Sequence, residues 1–126
     1  TIEHWENFLL TGCTGAEPLP DGIAHPVALF HVPLYGAKTS IGDMFSLGQA
    51  ESELSVIPEY YDWEIFSTLR EAMNYKVTGK IVAAERRENS HGQKYDWLLF
   101  QFDMVEPDGT LAARTSMAQQ FTRNTL

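Results

Sequence analysis

Two side chains in the first half of the chain carry the functional groups of a proton-transfer site. His25 lies where a loop is predicted to meet a helix, and an imidazole changes charge near neutral pH. Asp43 adds a carboxylate on the same predicted helical region. Each also has a structural interpretation, because His25 can bond the backbone at a helix entry and Ser40-Ile41-Gly42-Asp43 resembles a capping box. A catalytic role and a structural role therefore stay open for both residues.

A group of aromatic side chains lies close together near the middle of the chain. Its members are Tyr60, Tyr61, Trp63 and Phe66. Aromatic side chains offer large apolar surfaces, which suit the wall of a ligand pocket or the contact surface of a partner protein. They occur next to a strand in an ordinary core about as often. The sequence therefore leaves the pocket, the partner surface and the core all open.

Composition excludes several classes of function. The net charge is -8 at pH 7 and no basic run is present, so nucleic acid is not expected as a partner. No run approaches about 18 apolar residues and Thr1–Leu10 has no cationic region, so neither a membrane span nor a signal peptide is expected. The histidines have no companion ligands at metal-binding spacing, so no metal is expected. The single cysteine, Cys13, excludes an internal disulfide and fits a reducing cytoplasm.

Residues 1–22 are predicted to form an N-terminal helix and a loop. Within Thr1–Gly12 the apolar residues recur at helical spacing, which predicts that one apolar face packs on the core and that its aromatic residues anchor it. These residues are Ile2, Trp5, Phe8 and Leu9. Gly12 ends the helix, and Cys13–Gly22 contains two prolines and two glycines. At 126 residues, 44% of them hydrophobic, the chain 1–126 is predicted to be a single domain with its own core.

The segment from Ile23 to Gln49 is predicted to be one helical region with a break, ending at Gly48. Pro33 marks the break, because proline fits a helix entry or a kink and not an undisturbed helix interior. The region is apolar on most sides, which predicts a buried helix. His31 follows an apolar run there, which favours a hydrogen-bonded histidine of the core.

The rest of the chain alternates apolar and polar residues with the period of a β-strand. Ala50–Ile57 is predicted to be a strand with Leu54 among its apolar members, and Pro58–Ile65 an irregular edge strand. Three longer strands follow in a meander, at Tyr75–Arg87, Lys94–Glu106 and Thr110–Phe121. One face of the first carries Tyr75, Val77, Ile81 and Ala83. Pro107-Asp108-Gly109 marks the second turn, and strands this long can wrap around a helix.

This order of elements resembles the hot-dog fold, an α+β fold in which a curved antiparallel sheet wraps around a central helix. The second half resembles more specifically the MaoC-like dehydratases, in the subgroup related to the dehydratase domain of fungal fatty-acid synthase. The resemblance spans Gly22–Arg123. The stretches that carry it are Gly22–Pro26, Tyr75–Ile81, Arg86–Arg87, Asp96–Phe100, Pro107–Leu111 and Phe121–Arg123.

The resemblance implies thioester chemistry. Members of the family hydrate enoyl thioesters or dehydrate 3-hydroxyacyl thioesters, so coenzyme A or phosphopantetheine arrives as part of the substrate and no separate cofactor is expected. They pair into double hot-dogs, within one chain or between two. Their catalytic motif, Asp-x-Asn-Pro-x-His, precedes the central helix. The corresponding stretch here, Thr11–Gly22, has Glu17 and Asp21 but no histidine and no Asn-Pro, so the chain resembles the N-terminal, non-catalytic half of a double hot-dog hydratase.

The resemblance leads to one expected function and two alternatives. We expect a cytoplasmic hydratase or dehydratase subunit of fatty-acid or polyketide metabolism, with no membrane or nucleic-acid partner. It would pair with an identical or different hot-dog subunit and shape the acyl pocket with its aromatic group, while the partner supplies the catalytic Asp and His. One alternative is a stand-alone thioesterase or dehydratase homodimer that uses His25 or Asp43, the latter as in other hot-dog thioesterases. The other is a non-catalytic acyl-binding module.

Overall fold

The computed structural model describes residues 1–30, 32–52 and 55–123. The elements in chain order are α1 (His4–Cys13), a 3-10 helix (Pro26–Phe30), α2 (Val32–Gly36), α3 (Ile41–Leu47), β1 (Val56–Ile65), β2 (Lys76–Glu88), β3 (Lys94–Val105) and β4 (Leu111–Thr122). The helices come first in the chain and the strands last, which fits the predicted α+β fold class. His31 and Leu54, for which the sequence predicts a core role and a strand role, lie outside the described residues.

The strands form one antiparallel sheet in the order β1-β4-β3-β2. This confirms the predicted meander, and its second turn closes where Glu106 N–H donates to Thr110 O at 2.8 Å, with Gly109 at a φ of 91°. The strand predicted over Ala50–Ile57 is wrong at its start. Ser55 N–H instead donates to Ser52 O at 3.1 Å, and β1 begins at Val56.

The inner face of the sheet carries the core. In β4 this face presents Ala113, Met117 and Phe121, which pack with Met104, Phe100 and Phe102 of β3 against the helical segments. In β2 the predicted face is wrong beyond Ile81, because the register shifts between Ile81 and Ala83. A bulge moves every later side chain to the opposite face, so Ala84, opposite Leu98, points inward where Ala83 was expected.

The helical layer lies against the inner face, as predicted, but it is three short segments and not one helix. Pro33 sits in the first turn of α2, where its missing N–H costs nothing. The side chains that face the sheet are Ala28, Leu29, Val32, Leu34 and Met44. The expectation of burial on all sides is wrong, because other apolar residues of the layer face away from the sheet. These are Phe30 (55% exposed), Tyr35 (80%), Ile41 (40%) and Leu47 (63%).

Helix α1 packs with the opposite face from the predicted one. Ile2 is buried, but Trp5, Phe8 and Leu9 are exposed, and the helix buries Asn7 and Thr11. The Asn7 amide explains this orientation. It donates to Ile23 O at 3.2 Å and to a Glu71 carboxylate oxygen at 2.7 Å, and it accepts from His25 N–H at 3.1 Å and the Thr11 hydroxyl at 3.3 Å.

Arg123 holds the end of α3 to the sheet. Its guanidinium donates to the carbonyls of Gly48 and Gln49, which the helix leaves unpaired, and to a carboxylate oxygen of Asp96 at 3.0 Å. Arg86 binds Asp96 at 2.7 and 3.1 Å from the neighbouring strand, so the carboxylate joins the sheet to the end of α3. The hydrogen bonds from Arg86 and then from Arg123 lower the pKa of Asp96.

Gly48 lies against the Phe121 ring so closely that a Cβ atom would overlap it. We expect Gly48→Ala to lower the free energy of unfolding by about 1–3 kcal/mol, because the buried ring has to move. Gly42→Ala in the same helix is the matched control. Its Cβ would meet only Ser40 Oγ at 3.7 Å, so it should be neutral or stabilising by up to about 1 kcal/mol. Equal urea denaturation midpoints for both variants would contradict the packing account.

The ion pairs of Asp96 make stability depend on acidity. Because the pKa of Asp96 is lower in the folded state, the carboxylate stabilises the fold fully above about pH 5 and loses this effect as the pH falls through its lowered pKa. We expect Asp96→Asn to cost about 1–3 kcal/mol at pH 7. The difference in the free energy of unfolding between the wild type and Asp96→Asn should shrink as the pH falls below about 4. A difference that stays constant over this range would show that charge plays no part.

Candidate functional site

The candidate site lies on the inner face of the sheet at its β1 edge. Tyr61 is opposite Met117 and Trp63 is opposite Thr115, so both aromatic side chains share the face that carries the core. The helical layer reaches the same place, because the ring of Phe30 meets that of Tyr61 edge-on at 5.8 Å between centroids. All three rings are partly exposed, at 37% for Tyr61, 36% for Trp63 and 55% for Phe30. Together they form an apolar surface, half of it open to solvent.

The structure divides the predicted aromatic group. The register of β1 shifts between Pro58 and Tyr60, and the bulge leaves Tyr60 opposite Ala118 on the outer face. Phe66 follows the end of β1, where its N–H donates to Ala112 O at 2.8 Å. Of the four residues predicted to bind substrate, only Tyr61 and Trp63 are placed to line an inner-face pocket together. The substrate contact itself stays a prediction.

Two buried polar residues of β4 lie next to these aromatic side chains. Thr115 and Gln119 are each 1% exposed on the inner face, on either side of Met117. Among the described residues neither Thr115 Oγ1 nor Gln119 Oε1 has a hydrogen-bond partner, although buried polar atoms are normally paired. Sequence analysis missed both residues. The available signal was two polar side chains, four positions apart, on the otherwise apolar inner face of β4.

His25 lies at the helix entry, as predicted. Its ring Nδ1 accepts the N–H of Val27 at 3.0 Å, and its own N–H donates to Asn7 Oδ1 at 3.1 Å. In a neutral ring this bond leaves the proton on Nε2, so the side chain caps the first turn of the 3-10 helix. A protonated Nδ1 would break that bond. Catalysis by His25 stays a prediction, and the contact gives the residue a structural role of its own.

The acidic candidates lie on exposed surfaces. Asp43 is in the first turn of α3, and its N–H donates to the Ser40 side chain at 3.1 Å, which confirms the cap. Glu17 and Asp21 are exposed in the loop that follows α1, and Asp21 has a φ of 59°. Within residues 1–30, 32–52 and 55–123, no group of three or more His, Cys, Asp or Glu side chains is arranged to hold a metal ion. The catalytic role of Asp43 stays a prediction.

A separate groove of about 920 Å³ lies between α1, α2 and the start of β2. Trp5, Tyr35, Tyr75 and Val77 are among its lining residues, and no predicted site residue lines it. Burial raises the pKa of the Tyr75 hydroxyl, which accepts the N–H of Arg70 at 2.9 Å. The groove has the volume of a ligand pocket and is a second place where an apolar chain would fit.

No protein-family model matches this sequence, and no curated protein matches it. Across the part of the chain that the structure describes, no helix is both long and apolar enough to cross a bilayer.

Solved structures do match the fold. The truncated HadBC complex of Mycobacterium tuberculosis, named as a 3R-hydroxyacyl-ACP dehydratase, matches with a TM-score of 0.70 at 6% identity, over 94% of this chain and 87% of that one. A monoamine oxidase regulatory protein of Archaeoglobus fulgius matches with a TM-score of 0.65 at 12% identity, over 99% of this chain and 85% of that one. The ChsH1-ChsH2 complex of Mycobacterium tuberculosis matches with a TM-score of 0.60 at 10% identity, over 94% of this chain and 72% of that one. The chain therefore has the hot-dog fold, as its sequence predicts.

The cap that His25 forms on Val27 can be tested by substitution. An asparagine can accept an N–H two residues ahead, whereas leucine cannot. We expect His25→Asn to keep the free energy of unfolding within about 0.5 kcal/mol of the wild-type value, and His25→Leu to lower it by about 1 kcal/mol. The measurement is urea denaturation at pH 7. If both variants lost the same stability, the imidazole would contribute by packing and not as an acceptor.

Proposed function

We propose that the chain is a subunit of a hydratase or dehydratase that acts on an enoyl or 3-hydroxyacyl thioester of coenzyme A or a carrier protein. It shapes the acyl pocket, and a second hot-dog subunit supplies the catalytic Asp and His. A fold shared with a complex named as a 3R-hydroxyacyl-ACP dehydratase supports this reaction class. The cytoplasm remains the expected compartment, on the lone exposed Cys13.

The observation that carries the proposal is the β1 edge. Tyr61 and Trp63 present half-exposed rings on the inner face of an unpaired edge strand, and Phe30 extends the same surface. An acyl chain needs an apolar channel that excludes water, and rings of this size supply its walls. All three rings contact solvent in the single chain. A second chain therefore has to cover this edge before the channel can exclude water.

The chain supplies walls and not the proton transfer. Hydration of a conjugated double bond needs an acid and base that place water and move a proton. In the described residues Nδ1 of His25 accepts the N–H of Val27, and no hydrogen bond joins this ring to a carboxylate. Glu17, Asp21 and Asp43 are all exposed. The acid–base pair is therefore assigned to the partner subunit.

Pairing at β1 is favoured over pairing at β2, the other edge of the sheet. β2 carries several cations, which protect an edge strand from association. They are Lys76, Lys80, Arg86 and Arg87. In β1 the large apolar side chains dominate, and Ile57 and Ile65 are 50% and 44% exposed. Two of the matching structures are complexes by name, which supports a pair of hot-dog subunits as the working unit.

We expect the purified chain alone to hydrate crotonyl-CoA and octenoyl-CoA at a rate about 100-fold or more below that of its native complex, because acid–base catalysis contributes at least that factor. The complex is isolated through a tag on this chain, and hydration is followed by loss of the conjugated thioester absorbance. Turnover by the chain alone that disappears in His25→Ala or Asp43→Ala would establish the stand-alone enzyme instead. Saturable acyl-CoA binding by a complex without turnover would establish the binding module.

Within that complex, Trp63→Ala should raise KM for the octenoyl thioester about tenfold or more and leave kcat nearly unchanged, because the lost ring contact contributes equally to both states. Tyr60→Ala, on the outer face of the same strand, is the matched control. Trp5→Ala tests the groove beside α1. A KM that responds to Trp5 and not to Trp63 would place the acyl chain in that groove and remove the β1 edge from the proposal.

A further inference from the structure

The free edge of the sheet at β1 carries charge of one sign. Glu59, Asp62 and Glu64 are exposed, and Val56–Ile65 contains no lysine or arginine. Asp62 and Glu64 lie opposite Ser116 and Arg114 on the outer face, and Glu59 accepts from the Gln120 side chain at 3.0 Å. The bulge after Pro58 limits regular pairing to the residues that follow it. A partner strand must therefore lie beside Asp62 and Glu64.

A second copy of this chain fits that edge poorly. Registers that keep Tyr61 and Trp63 on the inner face of both copies are limited to alternate positions. A two-fold axis at Asp62 places the two Asp62 carboxylates opposite each other, and an axis at Trp63 places Asp62 opposite Glu64 twice. An axis at Tyr61 leaves the two Asp62 carboxylates diagonal, about 7–8 Å apart. Each register brings like charges together, which destabilises a strand pair.

Pairing of β1 with β2 of another copy does not solve this. The β2 arginines are paired within the chain, because Arg86 binds Asp96 at 2.7 Å and Arg87 binds Glu85 at 2.6 Å. This leaves Lys76 and Lys80 as the cations that could face Asp62 and Glu64. Such a contact leaves β1 of one copy and β2 of the other unpaired, so two copies alone do not satisfy it. Head-to-tail contacts of that kind give rings or open chains of copies and not a closed pair.

We propose that the β1 edge binds a different subunit, a hot-dog chain whose pairing strand carries lysine or arginine on its outer face opposite Asp62 and Glu64. The inference rests on the proposed pairing of two hot-dog subunits and adds the choice of partner. Aromatic contacts on the inner face give the affinity, and the outer-face charges select against a second copy. Selection of this kind needs both the attractive pair and the repulsive one.

The test uses a charge-reversed copy of this chain as the cationic partner. In about 0.05 M salt, fluorescent wild-type chain should bind the Asp62→Lys chain about tenfold more tightly than unlabelled wild-type chain, as measured by sedimentation velocity. In about 1 M salt the two dissociation constants should agree within about twofold, because screening removes the preference. The Glu17→Lys chain is the control, since it changes net charge equally at an exposed loop residue and should bind like wild type.

Three results would overturn the inference. They are wild-type self-association as tight as the mixed pair, an equal gain with Glu17→Lys, and no pairing in any mixture. Thioester hydration by the native complex is a separate readout. A native complex with another hot-dog subunit that hydrates the thioester but pairs without charge selectivity would keep the proposed function and reject this choice of partner, and a charge-selective pair without turnover would do the reverse.

Discussion

The structure depends on holding three short helical segments in place on one sheet. None of them is long enough to be stable alone, because helix formation needs more residues to offset its nucleation cost. Specific contacts therefore hold the first and last residues of this layer in place. Arg123 binds the last carbonyls of α3, the Phe121 ring fits under Gly48, and Asn7 binds the backbone at Ile23 and His25 where the layer begins. The layer keeps its position because its ends are bonded, and its outward apolar side chains are free to meet something else.

Burial falls steeply from the centre of the sheet to its edge, and this gradient connects the fold to the proposed pairing. In β4 Ala112, Ala118 and Phe121 are fully buried, whereas the neighbouring β1 is exposed on both faces. The helical layer repeats the pattern, since Leu29 is buried and Phe30, the next residue, is 55% exposed against Tyr61. Apolar side chains that leave water stabilise a protein by about 25 cal/mol per Å². A covering subunit would therefore gain stability along the β1 edge, where both layers leave apolar rings in water.

Features set by local sequence patterns were predictable, and contacts between residues distant in the sequence were not. The strands follow from alternation, and Pro107-Asp108-Gly109 marks their turn, because both signals are local. The bulges at Glu59 and Val82 could not be located from the sequence, since a register shift appears only when two strands are aligned. The prediction of which face of α1 is buried was wrong for the same reason. Its polar face is buried because Asn7 meets Glu71, which is distant in sequence, and hydrophobic spacing alone cannot indicate that a buried amide is fully bonded. Of the site, the sequence indicated Tyr61 and Trp63 but not Thr115 or Gln119.

The helix entry bears on the proposed division of chemistry between two hot-dog subunits. A histidine that serves as a base needs a free ring nitrogen, and Nδ1 of His25 is held by Val27 N–H while Nε2 carries the proton in the neutral ring. For His25 to take up a proton, the first turn of the 3-10 helix would lose its cap. The same contact that starts the helical layer therefore opposes a catalytic role for this ring. In the proposed complex the groups for proton transfer would come from the second subunit, and the β1 edge beside Tyr61 and Trp63 is where that subunit would bring them nearest to an acyl chain.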